Sequence, residues 1–369
     1  MNTLTMETKE ASGLTGTTAI DKQKLEAFAM RALSDFAGAY VGLMVSLGSK
    51  LGLYKAMADG AAHGSDEIAS RTGCAERYVR EWLNAQAASG YISYHADADT
   101  YSMPPEHALV LADEGSPAYF TPAWEIPAAL WAGEARALEA FRTGKGIPWG
   151  AHDGRLHCGV ASFYRNGYRG ALVQHWLPSL DGVVKQLEEG ITVADVGCGH
   201  GHSTILMAQA FPNSRFHGYD SHAASIEEAK LHAAEAGVAD RVTFEVARAV
   251  DYPDRQYGLV CFFDCLHDLG DPVAAARYAR EVLAPGGTVF LVEPFANDRI
   301  EDNISLAGQL FYTGSTLMCC AHAISEGGHL VLGAQAGEAR LGEVFRQAGF
   351  SQFRRTAETP FNLILEARR

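Results

Sequence analysis

The spacing of apolar residues divides the chain into two parts with different patterns. Between residues 24 and 57, apolar side chains recur every three or four positions, which predicts a long helix with one face buried against another surface. After residue 190, apolar β-prone runs alternate with helical segments, from Ile191 as far as Glu293. This alternation predicts a largely parallel, doubly wound sheet with helices on both faces. The closing runs, 350–355 and 361–366, are only a few residues apart and predict an antiparallel pair.

The region after the first helix has the pattern of a winged helix. Two helical segments, 64–69 and 76–89, flank a short turn, and two β-prone runs around residues 91–103 follow as a hairpin. From Asp66 to Tyr91 there are four acidic residues and three arginines, so the region lacks the basic footprint of DNA-binding helices. A structural or dimerising role is therefore favoured over DNA recognition.

The rest of the amino-terminal half predicts helices and one long loop. Residues 116–143 are apolar and aromatic, a glycine- and proline-rich loop follows, and helix-prone segments between 161 and 189 bridge to the sheet. We therefore expect the following organisation: a disordered terminus over 1–22, a winged-helix, dimerisation and helical domain over 23–150, bridging helices over 151–190, and the sheet domain over 191–369.

Charge and cysteine content narrow the class of partner. Thirty lysines and arginines against 44 acidic residues give a formal net charge of -14, which opposes unspecific binding to nucleic acid or an anionic membrane. The seven cysteines are scattered and indicate reduced thiols. The first twenty residues lack the apolar core of a secretory signal, and no apolar run approaches the roughly 18 residues of a membrane span. We expect a soluble, cytoplasmic protein with a small-molecule partner.

The segment VADVGCGHG, residues 193–201, predicts a nucleotide-type cofactor site. A strand ends at Val196, and three glycines at alternate positions allow a sharp turn and close approach of a ligand. Asp220 ends the next strand, nineteen residues after Gly201, where a carboxylate can accept both ribose hydroxyls of an adenosine. A dinucleotide fingerprint would need glycine at position 202, which is His202. This favours S-adenosylmethionine over NAD, although an NAD-dependent oxidoreductase stays an alternative.

Five segments together resemble the ordered motifs of class I S-adenosylmethionine-dependent methyltransferases: VADVGCGHG, FHGYD, LVCFFDCLHDLGDP, APGG and FLVEPF. From about residue 25 to the end, the chain looks like the bacterial two-domain subgroup with an N-terminal winged helix. It is more distantly similar to the plant-type small-molecule O-methyltransferases. The resemblance implies a Rossmann-like seven-stranded sheet behind a mainly helical winged-helix domain, S-adenosyl-L-methionine as cofactor, and a homodimer formed through the N-terminal domain.

The resemblance also implies where the cofactor binds. Asp195 and the glycine loop would face its methionine part, Asp220 its ribose, and the segment beginning at Ala247 its adenine. Many relatives have an acidic residue where Arg248 stands here, so the adenine contact would differ. On the bridging helix, Tyr168 or Arg165 could bond the cofactor carboxylate. The predicted cofactor-binding set is Tyr168, Asp195, Gly197, Cys198, Gly199, Gly201, Asp220, Ser221, Ala247, Phe263 and Asp264.

His267 is the predicted catalytic base. It follows the fourth strand at the ligand-binding edge of the sheet, and methyl transfer requires a positioned acceptor and removal of its proton. By the resemblance, His267 and Asp268 match the His-Asp pair of the plant-type enzymes, and Glu293 matches the acidic residue that orients the base. Alternatively, His267 caps the loop and Asp268 caps the following helix.

Other features leave further alternatives open. An N-, S- or C-methyltransferase would need little help from a base, and a cofactor-sensing winged-helix regulator would bind DNA. Residues 310–320, together with Trp124 and Trp131, would line an acceptor pocket or form a dimer core. No metal is expected, because His200 and His202 have no carboxylate or cysteine partner at ligand spacing.

Overall fold

The computed structural model describes residues 20–369, so the predicted disordered segment 1–22 lies outside the described residues except for its last three positions. The described helices are α1 Lys22–Lys50, α2 Leu53–Ala56, α3 Ser65–Thr72, α4 Glu76–Ala88, α5 Pro105–Leu111, α6 Glu125–Ala132, α7 Glu134–Thr143, α8 Gly154–Ala171, α9 Val183–Glu189, α10 His202–Ala210, α11 Ala223–Glu235, α12 Pro272–Val282, α13 Leu306–Gly314, α14 Cys320–Ser325 and α15 Gly337–Gln347. The strands are β1 Ser93–His95, β2 Thr100–Ser102, β3 Thr192–Val196, β4 Arg215–Asp220, β5 Val242–Val246, β6 Tyr257–Phe263, β7 Leu283–Pro294, β8 Gln352–Glu358 and β9 Asn362–Arg368.

The large sheet has seven strands in the order β5-β4-β3-β6-β7-β9-β8. Strands β3 to β7 are parallel, and β9 runs antiparallel between β7 and β8. The short β8–β9 connection can only join antiparallel neighbours, because a parallel pair needs a crossover of a dozen or more residues. The predicted doubly wound sheet with an antiparallel closing pair is confirmed.

Both faces of the sheet are buried, which explains why its strands are continuously apolar. Phe290 and Leu291, adjacent on β7, point to opposite faces and belong to separate apolar cores. The first core packs against α10 and α11 through residues such as Ile205 and Ile226, and the second against α12 and α15 through residues such as Phe345. The parallel strands therefore end together at one edge, where their loops can form a site.

The amino-terminal helices have a smaller core of their own, centred on Trp82, Leu83 and Tyr101. Strands β1 and β2 form the predicted antiparallel hairpin behind α4. On α4 itself, Arg77 pairs with Glu81 and Arg80 with Glu76. Each of these two arginines, on the helix that would read DNA in a winged-helix regulator, thus has an acidic neighbour one turn away.

Helix α1 departs from the prediction that its apolar stripe is buried. Its side chains at positions 33, 36, 40, 43 and 47 are between 39% and 62% exposed. Only the opposite face, which includes Gly42, Val45 and Gly48, packs against the rest of the chain. The described residues provide no element that reaches the stripe. By length and composition alone, α1 could also span a membrane, although an Arg31–Asp35 ion pair lies along it.

Close packing under α1 predicts a large cost for a single methyl group at Gly48. A Cβ there would lie 2.4 Å from Cζ2 of Trp82 and 2.9 Å from Tyr54. We expect Gly48→Ala to lower the free energy of unfolding by about 1–3 kcal/mol in urea titrations, as overpacked cores do. Gly38→Ala on the same helix is the control, since a Cβ there has no atom within 4 Å, and alanine should be neutral or stabilise by about 1 kcal/mol. Equal effects of the two changes would contradict this account.

Candidate functional site

A cavity of about 870 Å³ opens at the edge where the parallel strands end. Its wall includes residues that follow β3, β4, β5 and β6, together with side chains from α6, α8 and the segment from α13 to α14. This volume lies in the range of small-molecule and cofactor sites. The position is the one at which open α/β sheets bind ligands.

The glycine loop after β3 forms the floor of the cavity. Gly199 lies on the wall at φ 53°, and a Cβ built there would have open space in front of it, so glycine serves the backbone turn and a ligand can lie against the chain. Gly201 does not line the cavity. Its Cβ would be 2.4 Å from Phe244, so this glycine allows α10 to pack against β5.

Asp220 ends β4 at the cavity wall. One carboxylate oxygen accepts from the backbone N–H of Gly199 at 2.9 Å, and the other accepts from that of His222 at 2.8 Å. Burial raises the pKa of Asp220 above its usual value, although these two backbone donors oppose the shift. The bonds fix the carboxylate, and each oxygen keeps a lone pair for a ligand hydroxyl.

Asp195 lies beneath the loop rather than on the cavity wall. Its Oδ2 accepts from the hydroxyls of Ser203 at 2.7 Å and Thr204 at 2.6 Å, at the start of α10. Burial raises the pKa of Asp195 to about 6, against the opposing effect of these hydroxyls. In this structure the carboxylate joins β3 to α10, and its predicted contact with the methionine part of a cofactor stays a prediction.

The other predicted cofactor residues line the cavity: Tyr168, Gly197, Cys198, Ser221, Ala247, Phe263 and Asp264. Arg248 is also at the wall, but its guanidinium is largely exposed and bonds Asp251 at 2.6 Å. Arg165 does not line the cavity, which leaves Tyr168 as the bridging-helix residue at the site.

His267 is buried at the far end of the cavity between two carboxylates. Its Nδ1 contacts Glu293, and its Nε2 lies 2.9 Å from Oδ1 of Asp268. Glu293 is itself held by the backbone N–H of Leu266 at 3.1 Å. Burial works to lower the pKa of His267, but the charges of Asp268 and Glu293 outweigh it and raise the pKa well above 6.5. The two carboxylates therefore favour the protonated, cationic form of the imidazole.

Acidic groups outnumber basic ones around His267. Asp264 is buried at φ 52°, accepts from the hydroxyl of Tyr168 at 3.3 Å, and has its pKa raised well above the usual value by burial and by Glu293. Asp268 and Glu293 provide two further carboxyls against the one imidazolium. Such a surplus favours a cationic ligand group.

Apolar side chains line the cavity next to α6, but the two tryptophans that were predicted to line an acceptor pocket are not among them. Trp124 packs against Gly42 of α1, and Trp131 is 69% exposed. The residues of α6 that face the cavity are Ile126, Pro127 and Leu130, which are neighbours on one face of the helix. The predicted segment 310–320 does contribute, through Leu310, Phe311, Met318 and Cys319 among others.

A strap over residues 144–153 reaches the site from the amino-terminal helices, which the sequence analysis treated only as a loop. Ile147 donates its N–H to the carbonyl of Ala321 at 2.8 Å, and Trp149 donates its N–H to Nδ1 of His322 at 3.2 Å. Gly146 fits so closely that a Cβ would lie 2.1–2.2 Å from backbone atoms of α14. The tryptophan in this glycine-rich loop was the feature that could have indicated a contact.

Comparison with known proteins gives two family matches. Residues 39–113 match an Rv2258c-like winged HTH domain, and residues 187–349 match a methyltransferase domain. A segment of 107 residues is 36% identical to 27-O-demethylrifamycin SV methyltransferase of Amycolatopsis mediterranei, covering 28% of this chain and 39% of that protein. The chain thus spans about two fifths of the length of this relative.

Solved structures share the fold over nearly the whole chain. An O-methyltransferase family protein from Burkholderia thailandensis superposes with a TM-score of 0.69 at 19% identity, covering 93% of this chain and 98% of that one. Human N-acetylserotonin methyltransferase, solved in complex with S-adenosylmethionine, gives a TM-score of 0.68 at 16% identity and covers 96% and 99% of the two chains.

Proposed function

Because residues 187–349 are a methyltransferase domain and residues 39–113 a winged helix-turn-helix domain, we propose that this protein is an S-adenosylmethionine-dependent methyltransferase. Its acceptor would be a hydroxyl group on a small, partly apolar metabolite. One observation carries the proposal: a single cavity brings together the glycine loop, Asp220 and the buried His267. Fold-level likeness alone would not assign the reaction.

The cavity fits the cofactor by shape and charge. The open space in front of Gly199 admits a ligand backbone, and the fixed carboxylate of Asp220 can accept from two ribose hydroxyls. Asp264 also lines the cavity, and a bound sulfonium would oppose the rise in its pKa and favour the ionised carboxylate. The cofactor supplies a methyl group already activated on positive sulfur, so the chain has to position an acceptor and take up its proton.

Asp220 should be required for cofactor affinity. We expect Asp220→Ala to weaken binding of S-adenosylmethionine by at least about 10-fold in calorimetry, the equivalent of one hydrogen bond to a charged group at about 1.5 kcal/mol. Asp240→Ala is the control, since that aspartate is exposed and pairs only with its neighbour Arg241. Because Asp220 also bonds Gly199, melting curves should accompany the titration, and Asp220→Asn keeps an acceptor oxygen for the loop. Unchanged affinity in the alanine variant would refute the ribose contact.

We propose His267 as the general base, with Glu293 as the residue that positions it. The Glu293 contact on Nδ1 directs Nε2 toward the cavity side, where Asp268 lies. Because the resting imidazole is protonated, it has to lose that proton before it can accept one. A positive charge bound nearby disfavours the imidazolium, so binding of the sulfonium would promote the active form of the base.

This mechanism predicts a pH dependence with a definite sign. Because the pKa of His267 is raised, the base form appears only as pH rises above 6.5, and kcat/KM should increase with pH through that raised pKa. His267→Gln should lower turnover by about 10²–10⁴-fold and abolish the increase. His95→Gln, on the exposed hairpin, is the control.

An NMR titration of His267 separates the effect of the cofactor's positive charge on its pKa from the effect of the surrounding protein. The pKa of His267 should fall further with S-adenosylmethionine than with S-adenosylhomocysteine, because the two differ by one methyl group and one positive charge. Full turnover of His267→Gln across the pH range would remove the base. It would favour an N-, S- or C-methyltransferase and leave the Asp220 result unaffected.

We further propose that the chain is a homodimer in which α1 pairs with α1 of a second copy. The exposed side chains Leu33, Phe36, Tyr40, Leu43 and Leu47 follow one another at alternating intervals of three and four residues. That spacing forms a seam for another helix, and a two-fold axis makes such a seam complementary to itself. The Arg31–Asp35 pair disfavours the alternative of a bilayer around the helix.

Charging the seam should break the dimer. We expect Phe36→Glu combined with Leu43→Glu to shift the protein from dimer to monomer in sedimentation velocity runs, because two buried charges per helix would lack partners. Leu231→Glu, at an exposed apolar position of α11, is the matched control and should stay dimeric. A wild-type protein that sediments as a monomer would contradict the proposal, as would binding of the wild type to anionic vesicles through α1.

The remaining expectations follow from the same features. All seven cysteines are free, which supports the cytoplasm as the place of action. The division of the chain near residues 150 and 190 stays a proposal. A winged-helix regulator is less favoured because the arginines of α4 are paired with glutamates. Salt-dependent binding of DNA by the purified protein would support that alternative.

A further inference from the structure

Three possible metal ligands converge beside the proposed base. One ring nitrogen of His267, one carboxylate oxygen of Asp268 and Sγ of Cys319 all lie within 4.8 Å of one another. All three residues line the cavity, and both His267 and Cys319 are more than nine-tenths buried. One imidazole, one carboxylate and one thiol are the donor types that zinc binds.

The contact between His267 and Asp268 is close but unsatisfied. Nε2 and Oδ1 approach to 2.9 Å, yet Oδ1 is buried and has no hydrogen-bond partner in the described part of the chain. Two atoms this close can share one cation between them, which is a proton on the imidazolium or a metal ion in its place. A buried carboxylate oxygen is costly unless such a cation or a hydrogen-bond donor binds it.

Glu293 supplies the outer support that metal-binding histidines commonly have. It contacts Nδ1 of His267 and is itself fixed by the N–H of Leu266. A carboxylate on the second ring nitrogen fixes the tautomer and leaves Nε2 as the ligand atom. The imidazole is thus oriented for an ion as well as for a proton.

Cys319 reaches this position through an irregular helix. Residues Ser315–Cys319 form a π-helical turn between α13 and α14, a feature that is rare and frequent at functional sites. The turn is held in place because Ser315 accepts from the N–H of Ala334 at 3.0 Å. Nearby, the N–H of Gly333 donates to the carbonyl of His267 at 3.2 Å.

We propose that His267, Asp268 and Cys319 bind a divalent cation of the zinc class, with a fourth coordination position open to the cavity. The distances from the ion to these ligand atoms would be about 2.0–2.3 Å, as in other zinc sites. Binding displaces two protons to solvent, one from the thiol and one from Nε2 of His267, because sulfur coordinates as the thiolate and imidazole in its neutral form. This site was not expected from the sequence, where His200 and His202 have no third ligand at the usual spacing and Cys319 lies more than fifty residues from His267 and Asp268.

The site has a consequence for catalysis that rests on the proposed function. A metal on Nε2 would occupy the lone pair that the base needs, so Zn²⁺ should inhibit methyl transfer, and a chelator should reverse the inhibition. Binding itself does not depend on that function and is tested without substrate or cofactor.

The test is an anaerobic titration of the full chain with Co²⁺ alone. A thiolate ligand should produce a near-ultraviolet charge-transfer band that saturates at one equivalent and disappears when Zn²⁺ is added. The titration is run in a Cys158→Ser background, which removes the exposed thiol. Cys319→Ser should abolish the band, whereas Cys320→Ser, the matched neighbour, should keep it. The absence of a band in the parent protein, or an undiminished band in Cys319→Ser, would overturn the proposal.

A second variant keeps the test decisive if Cys319→Ser folds poorly by circular dichroism. Glu293→Gln retains all three ligands and loses only the outer carboxylate, so Co²⁺ should bind about 10- to 100-fold more weakly with the band still present. Unchanged Co²⁺ affinity in this variant would also count against the site. Neither outcome bears on whether Asp220 binds the cofactor.

Discussion

The arrangement of the rest of the site depends on the buried positive charge of His267. An ionised side chain at 2% exposure is tolerable only beside opposite charge, and the sheet provides it because β6 and β7 run parallel in register. Phe263 pairs with Val292 across these strands, so the turn that holds His267 and the strand end that holds Glu293 reach the same edge. The pairing of two apolar strands thus determines where a proton can be held.

The part of this arrangement that follows local rules could be predicted. The strand ends, the glycine loop and the carboxylate that ends β4 follow from the periodicity and from the common edge of parallel strands. Both of these can be recognised in a single sequence. Asp195 shows where such rules stop: it belongs to the right strand, yet its side chain turns toward two hydroxyls of α10. A carboxylate at the end of β3 can face the cavity or the hydroxyls of α10. Packing decides between the two, and the periodicity of the sequence does not specify that packing.

Contacts between distant segments were beyond prediction for the same reason. Trp124 and Trp131 belong to an apolar region next to the cavity, but the rotation of α6 turns Leu130 toward it and leaves Trp131 exposed. Cys319 comes to His267 only through a π-helical turn, which has no recognisable sequence pattern. The exposed stripe of α1 is the opposite case: the helical periodicity was correct, but no element in the described part of the chain covers the stripe.

The strap over residues 144–153 limits which positions of this protein can change in evolution. Gly146 lies against the backbone of α14, so no side chain fits there unless that helix moves. Cavity-lining residues such as Leu130 or Met318 can be exchanged for others of similar size. Descendants of this sequence could therefore acquire a cavity of different shape while position 146 stays glycine.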